Sequence, residues 1–409
     1  MKKWLSMILC ALMVLSVCAA PAMADEKVEL NFWYWDTNMD AAYTEMFEAF
    51  TAENPNIAVK MTLLPWADYW TKLATALPTG AGPDIFWLNH PNAVTYMPSG
   101  LMADIQGAVD AGEIDMSHFA NSLYDPYTWD GTLYCVPIFF DTIAIAYNKQ
   151  MLADAGYPDG PKADWTWDDL TEMATALTKD DVKGFGSTSD PQSGTMDFIL
   201  QNGGDVFSED RMSCILTEDK NVEAVQFLRD MMTSGISPTM NEYVDVPMLD
   251  MFQNDMLAMM PFGLWNVAPT FEIMGDNLGI APMPQKAQKG TIVHNLGYAM
   301  SSKTANPEAA MTLMKYFSTK DHGDRIAAVF APAYDESQQI WFEAFPTLDL
   351  TEFTDGLAYA KGLMISGKNA GQVYSLYSTE MQKLFENPET DTKEGLQVVQ
   401  DLINAEIAK

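Results

Sequence analysis

The stretch GTLYCVPIFFDTIAIAYNKQMLADAGYP, residues 131–158, decides how the chain is read. Two apolar runs, Leu133–Ile138 and Thr142–Tyr147, flank Phe139-Phe140-Asp141, and a helix-like segment, Lys149–Ala155, stops at Gly156. Pro137 cannot donate to a sheet ladder and so marks a strand edge or end. Two readings fit. One is a plain two-strand core segment; the other is a chain changing layers beside a cleft, with aromatics and a carboxylate at the crossing.

Upstream, strands alternate with helices. Val28–Trp35 is strand-like, and Tyr43, Met46, Phe47 and Phe50 fall at helical spacing before Asn54-Pro55. Ile57, Val59, Met61 and Leu63 alternate as a half-buried strand does, and Trp66, Trp70, Leu73 and Leu77 form a second helical stripe stopped by Pro78. Asp84–Leu88 is the third strand. This β-α-β-α-β order predicts a largely parallel sheet with right-handed crossovers.

Downstream the pattern is mainly helical. Thr166 and Asp169 are spaced as a capping box, and Gly235 ends the stripe of Val222, Val225, Leu228 and Met232. Leu257–Met260, Leu278–Ala281 and Leu296–Met300 are strand candidates, and Asn306-Pro307 opens a helix. Phe353–Leu363, Val373–Phe385 and Leu396–Ile407 are predicted helices.

The first 24 residues read as a secretory signal peptide: Lys2 and Lys3, the apolar run Trp4–Val17, then Ala22-Met23-Ala24. Leu15-Ser16-Val17-Cys18 is similar to a lipobox. Val17 is a poor residue before a modified Cys, and a strand beginning near Val28 leaves little tether, so a released protein is the preferred expectation. The expected location is therefore periplasmic or cell-surface, outside the cytoplasmic membrane. Removing Lys2 and Lys3 takes the formal charge from -33 to -35. Such acidity repels nucleic acid and anionic lipid, and Arg occurs only at 211, 229 and 325, which counts against anionic ligands. Cys135 and Cys214 are the cysteines that remain; two do not make a disulfide framework, and Cys135 reads as a buried thiol.

No catalytic, metal or cofactor motif stands out. His90, His118, His294 and His322 do not form HExxH, and neither a GxGxxG nor a P-loop is present. No G-x-S-x-G elbow occurs. With 56 acidic residues, some carboxylate pair will always resemble a glycosidase dyad, but sequence shows neither the separation nor the raised pKa such a pair needs. What recurs instead is aromatic residues beside acids or amides at strand ends: Trp33-Tyr34-Trp35-Asp36, Trp87-Leu88-Asn89-His90, Phe139-Phe140-Asp141, Trp265-Asn266 and His294-Asn295. Ligands of open α/β sheets bind outside the carboxyl ends of strands. A sugar ring lays its C–H face on an aromatic ring, and its hydroxyls take directional bonds from carboxylates and amides. Each aromatic also fits a core cap whose polar atom reaches water.

In several ordered segments the chain resembles the extracellular solute-binding proteins of carbohydrate ABC transporters, the maltose-binding-protein-like group. Tyr69–Leu77 leads to Gly82-Pro83-Asp84-Ile85-Phe86, followed by Leu133–Gly156 with Tyr147-Asn148-Lys149, then Thr166-Trp167-Asp168-Asp169-Leu170. Phe252–Met259 with Gly263-Leu264-Trp265 comes next, then Gly297-Tyr298-Ala299-Met300-Ser301 and Asn306-Pro307-Glu308-Ala309-Ala310. The resemblance implies an α/β, two-lobed periplasmic-binding-protein-like (type II) fold with a hinged cleft. Its lobes would be residues 25–140 plus 296–333 and residues 141–295 plus 334–409. It implies that Trp35, Asp36, Asn89, Asp141, Trp265, Asn295 and Tyr334 face the cleft, with Phe140 and Trp66 beside them. It further implies a monomer that captures a sugar or oligosaccharide and hands it to ABC permease subunits, with no cofactor and no reaction. The same fold binding a polyamine, peptide or polyol phosphate is the alternative, and an exported glycoside hydrolase is a more distant one.

Overall fold

A computed structural model describes residues 27–209, 212–362 and 370–409, so the signal-peptide segment lies outside the described residues. The chain opens with β1 (Val28–Tyr34), α1 (Asp40–Glu53), β2 (Ile57–Leu63), α2 (Trp66–Ala76), β3 (Ile85–Asn89) and α3 (His90–Tyr96). In β1, alternation sends Leu30, Phe32 and Tyr34 inward. It runs parallel to β2 on one side and β3 on the other.

The segment that decided the sequence reading is one strand, β4 (Cys135–Asn148), fourteen residues long. The expected break at Phe139-Phe140-Asp141 is absent. Pro137 does not end the strand, because β7 (Ile292–Ser301) absorbs it in a bulge. Leu296 pairs with Phe139 and Gly297 with Pro137, which leaves Ile138 outside the ladder. The carbonyl of Ile138 accepts instead from Ala333 N at 2.9 Å. Over Cys135–Thr142 the strand pairs with β7, and over Ile143–Asn148 it pairs with β5 (Met259–Gly263) and β6 (Leu278–Ala281). A single strand therefore serves two groups of partners. All these pairings are antiparallel, as is that of β7 with β3, so the parallel expectation holds for β1–β3 but not for the rest of this ladder. The cause is that β7 returns to the first sheet from far along the sequence rather than by a βαβ crossover.

Between β4 and β5 lie α4 (Trp167–Leu177), α5 (Met196–Gln201) and α6 (Asp219–Thr233); α7 (Val267–Met274) follows β5. The Thr166–Asp169 capping box is present, and Gly235, in the left-handed region with φ 79°, follows the end of α6. After β7 come α8 (Pro307–Phe317), α9 (Lys320–Ile326), α10 (Ala370–Glu386) and α11 (Thr392–Ile407). Asn306 precedes α8 as expected, but its side chain makes no capping bond. The helix expected over Phe353–Leu363 stops at Gly356, and Lys361–Gly362 pairs instead with the start of β7. Cys135 and Cys214 are both buried and free.

The first core holds an aromatic cluster in which Phe32, Tyr43, Phe47, Tyr298 and Phe317 pack on one another. A buried hydrogen-bond chain threads it. Trp87 Nε1 donates to the Tyr43 hydroxyl at 2.7 Å, Tyr43 and Tyr298 meet at 2.8 Å, and Tyr298 meets His322 Nε2 at 2.9 Å. An indole only donates, so the chain is complete when each tyrosine donates onward and His322 Nε2 accepts. The second core packs α4, α5, α6, α10 and α11 against the far half of β4.

Candidate functional site

Two neighbouring cavities lie where residues of β3, α2 and the turn after β1 meet residues of β4, β7, α10 and the turn after β5. The first, about 270 Å³, is lined by Trp35, Asp36, Trp66, Trp87, Phe139, Asp141, Gln192, Trp265, His294, Leu296 and Phe330. The second, about 510 Å³, shares Trp66, Gln192 and His294 with it. It continues along Trp70, Asn89, Pro91 and Asn92 on one side, and along Gly371, Tyr374, Ser375, Ser378 and Thr379 of α10 on the other.

The aromatic wall grows out of two elements. Trp35 follows β1 directly, and its ring meets Trp87 of β3 at 4.9 Å and Tyr69 of α2 at 4.8 Å. Trp66 and Trp70, one helical turn apart at the start of α2, stand 5.1 and 5.4 Å from Trp35. Leu73 and Leu77 of the same stripe are buried in the core, whereas Trp66 keeps 47% of its surface exposed. One stripe thus serves the core at one end and the cavities at the other. Opposite, Trp265 lies over Gly263, where a Cβ would fall 2.0 Å from the indole ring. Only glycine lets that ring approach β5 so closely.

Polar groups sit among these rings. Asp36 caps the short turn after β1, accepting from Asn38 N at 2.9 Å, and burial pushes its carboxyl above the usual range. Asp141 faces His294 across the β4–β7 ladder, with Oδ2 3.8 Å from Nδ1. Burial raises its pKa too; the nearby His294 opposes the shift and Asp36 adds to it. Asp141 Oδ1, Gln192 Nε2 and Trp70 Nε1 are buried without a hydrogen-bond partner among the described residues. Folded proteins rarely leave such groups unpaired, since each costs on the order of 1–3 kcal/mol.

Five of the nine residues expected at the cleft, Trp35, Asp36, Trp66, Asp141 and Trp265, line the first cavity. Asn89 lines the second, but its Oδ1 caps α3, accepting from Asn92 N at 3.3 Å, and also accepts from Asn92 Nδ2 at 2.7 Å. Three lie elsewhere. Phe140 is fully buried, and Asn295, paired with it across the ladder, bonds the carbonyl of Leu123 through Nδ2. Strand alternation is the reason: Phe139 and His294, one residue away from these two, face the cavity instead. Tyr334 stacks on His118 at 4.7 Å beyond both cavities. Sequence reasoning also missed Gln192 and the α10 residues, which carry no motif. The spacing of Tyr374 and Ser378, one helical turn apart, was the available signal.

Among the described residues, no group of acidic, histidine or cysteine side chains could hold a metal ion, and no helix is long and apolar enough to cross a membrane.

An ABC substrate-binding protein from Listeria monocytogenes, solved in complex with cycloalternan, superposes with a TM-score of 0.86 at 25% identity. That match covers 94% of this chain and 100% of the other. The GacH receptor of Streptomyces glaucescens gives 0.80 at 20% identity, over 93% and 98% of the two chains. The multiple sugar-binding protein of Streptococcus mutans is 24% identical over 325 residues, 72% of each chain. The arabinooligosaccharide-binding protein of Bacillus subtilis is 25% identical over 243 residues, 56% of this chain and 55% of that one. Residues 36–323 match the family described as bacterial extracellular solute-binding protein. With most of its length inside that match and its strands, cores and paired cavities arranged as above, the chain belongs to the bacterial extracellular solute-binding protein family.

Proposed function

We propose that this protein captures a sugar outside the cytoplasmic membrane and delivers it to the permease subunits of an ABC importer. The observation that carries this reading is the first cavity itself: four tryptophans around two desolvated carboxylates and unpaired polar atoms. Indole faces suit the C–H face of a sugar, while Asp36, Asp141 and Gln192 supply directional partners for its hydroxyls. The sugar-binding names of several relatives support the same class. Among the described residues, no lysine or arginine lines either cavity, which disfavours a phosphate.

Capture works by domain closure. A ligand touching both walls favours the closed form only by its differential affinity for it. The lobes proposed are residues 25–140 plus 296–333 and residues 141–295 plus 334–409. The change of β4 partners after Thr142 supports the first boundary. The Phe119–Tyr334 bridge ties the start of the last segment to the first lobe, so that segment crosses over gradually rather than at one residue. Asp141 and His294 bind and orient ligand in this scheme; no bond in the ligand is made or broken. Export by the signal peptide and a monomeric state complete the proposal.

A thermal-shift panel of neutral sugars tests it. A sugar at 100 times its dissociation constant adds about 2.7 kcal/mol of stability, a clear rise in Tm. A panel in which amines or phosphates raise Tm and no sugar does would overturn the assignment.

A further inference from the structure

A separate cavity of about 430 Å³ lies among the helices of the second core and shares no lining residue with the other two. Arg229 and Met232 of α6, Met240, and Phe385 and Glu386 at the end of α10 line it, with Glu389 just beyond. Ser375, on the second cavity, and Glu386, on this one, stand roughly 16 Å apart along α10.

Arg229 is buried there. It clamps the connection between α10 and α11: Nη1 donates to the Thr392 hydroxyl, and Nη2 to the carbonyls of Asn387 at 2.9 Å and Pro388 at 3.2 Å. The clamp uses three of the five N–H donors a guanidinium carries. Although the chain has 56 acidic residues, no carboxylate among the described residues takes the other two. Asp230 and Asp391 act on Arg229 only from a distance, their oxygens accepting from Gln226 Nε2 and Glu394 N. Arg325, by contrast, holds Asp321 at 2.9 Å. A charge buried without a partner is costly, and a loop clamp does not need one. The remaining walls limit what could supply the countercharge. Met232 and Phe385 are buried and Met240 half-buried, an apolar surface that thioethers adapt to many shapes. Glu386 and Glu389 are exposed at the rim, where they repel a second negative charge and attract a positive one.

We propose that this cavity is a second binding site, remote from the sugar cleft, for a small zwitterion with an apolar body, such as an apolar amino acid. Its carboxylate meets Arg229, its apolar part lies on Met232, Met240 and Phe385, and its ammonium group faces Glu386 and Glu389. Neither this site nor the sugar cleft needs the other.

Titration calorimetry with leucine, phenylalanine and 6-aminohexanoate tests it, with hexylamine and inorganic phosphate as single-charge controls. At least one zwitterion is expected to bind and neither control. Arg229→Met should weaken that binding at least about tenfold, the loss of a hydrogen bond to a charged group. Thr233→Trp, which fills the cavity from an exposed position on α6 and leaves Arg229 in place, should weaken it as much; it serves as the second variant should the first not fold. Glu386→Gln with Glu389→Gln should cost about threefold, as exposed charge pairs do. Binding of no zwitterion would overturn the proposal. Hexylamine or phosphate binding as tightly would also overturn it, showing that a single charge suffices. Zwitterion affinity unchanged in Thr233→Trp would overturn it by placing the ligand elsewhere. The sugar reading stands or falls separately, on the thermal-shift panel.

Discussion

Asp141 carries a charge that its surroundings only partly compensate. Its Oδ1 lacks a partner, its Oδ2 is 3.8 Å from His294, and burial disfavours its ionised form. Asp141→Asn should therefore raise the Tm of the free protein while weakening sugar binding by about 1.5–3 kcal/mol, the range for hydrogen bonds to charged groups. Calorimetry and a thermal melt on the same sample check both halves, and a variant that loses stability would show that the contact with His294 outweighs desolvation. Trp265 gives a second prediction. Trp265→Ala should cost at least about 2 kcal/mol of binding, as buried aromatic anchors do. Gly263→Ala, which places a Cβ 2.0 Å from the ring, should lower affinity by displacing the same indole, with the fold retained. Equal affinity in both variants and the parent would remove Trp265 from the site. At this scale the facing of a side chain was easier to read where a strand ended than within one. Trp35 and Asp36 follow a strand and line the first cavity, as Asp141 does from within β4. Phe140 and Asn295 lie inside strands, where a one-residue error in facing turns a side chain to the opposite side.

The elements were legible wherever one periodicity held from end to end. β1, α4 and α11 follow their patterns because each has a single buried face. β4 was not legible as one strand: it is buried on nearly every residue, so no alternation marks its length, and a proline sits within it. The small hairpin joining Thr128–Trp129 to Thr132–Leu133 was missed although Asp130-Gly131 is a strong turn pair, both residues adopting positive φ. The α9 helix carries its own prediction. Burial lowers the pKa of His322 to about 3, and the hydrogen-bond chain from Trp87 needs its Nε2 as an acceptor. The folded pKa lies below the unfolded one, so protonation favours unfolding. The contribution is intact above about pH 6.5 and is lost as pH falls toward 3, by about 1.4 kcal/mol per unit. Denaturant titrations of the parent and His322→Gln between pH 7 and 4.5 should converge or cross as pH falls. Parallel curves would mean that His322 takes up its proton alike in the folded and unfolded states, its pKa unshifted.

The two-lobed architecture was legible in the whole molecule through a resemblance spread over many segments, each weak by itself. The participation of α10 in the site was not, because it rests on a long-range approach: Gly371, at the start of that helix, lies against Asn92 of α3. No local pattern encodes that meeting. The unbroken run of β4 has a consequence for how the lobes move. Twelve of its first thirteen positions are buried, and its ladder passes from β7 to β5 and β6 between adjacent residues, Thr142 and Ile143. If the proposed lobe boundary lies at this crossing, a hinge made this way would bend by spreading a small twist along a strand, without opening any of its hydrogen bonds. Deuterium uptake should therefore be slow and continuous across residues 135–148, with no fast-exchanging gap at the crossing. A gap there would mean that the lobes part by local melting. Without one, the two lobes share a backbone ladder and unfold as one cooperative unit.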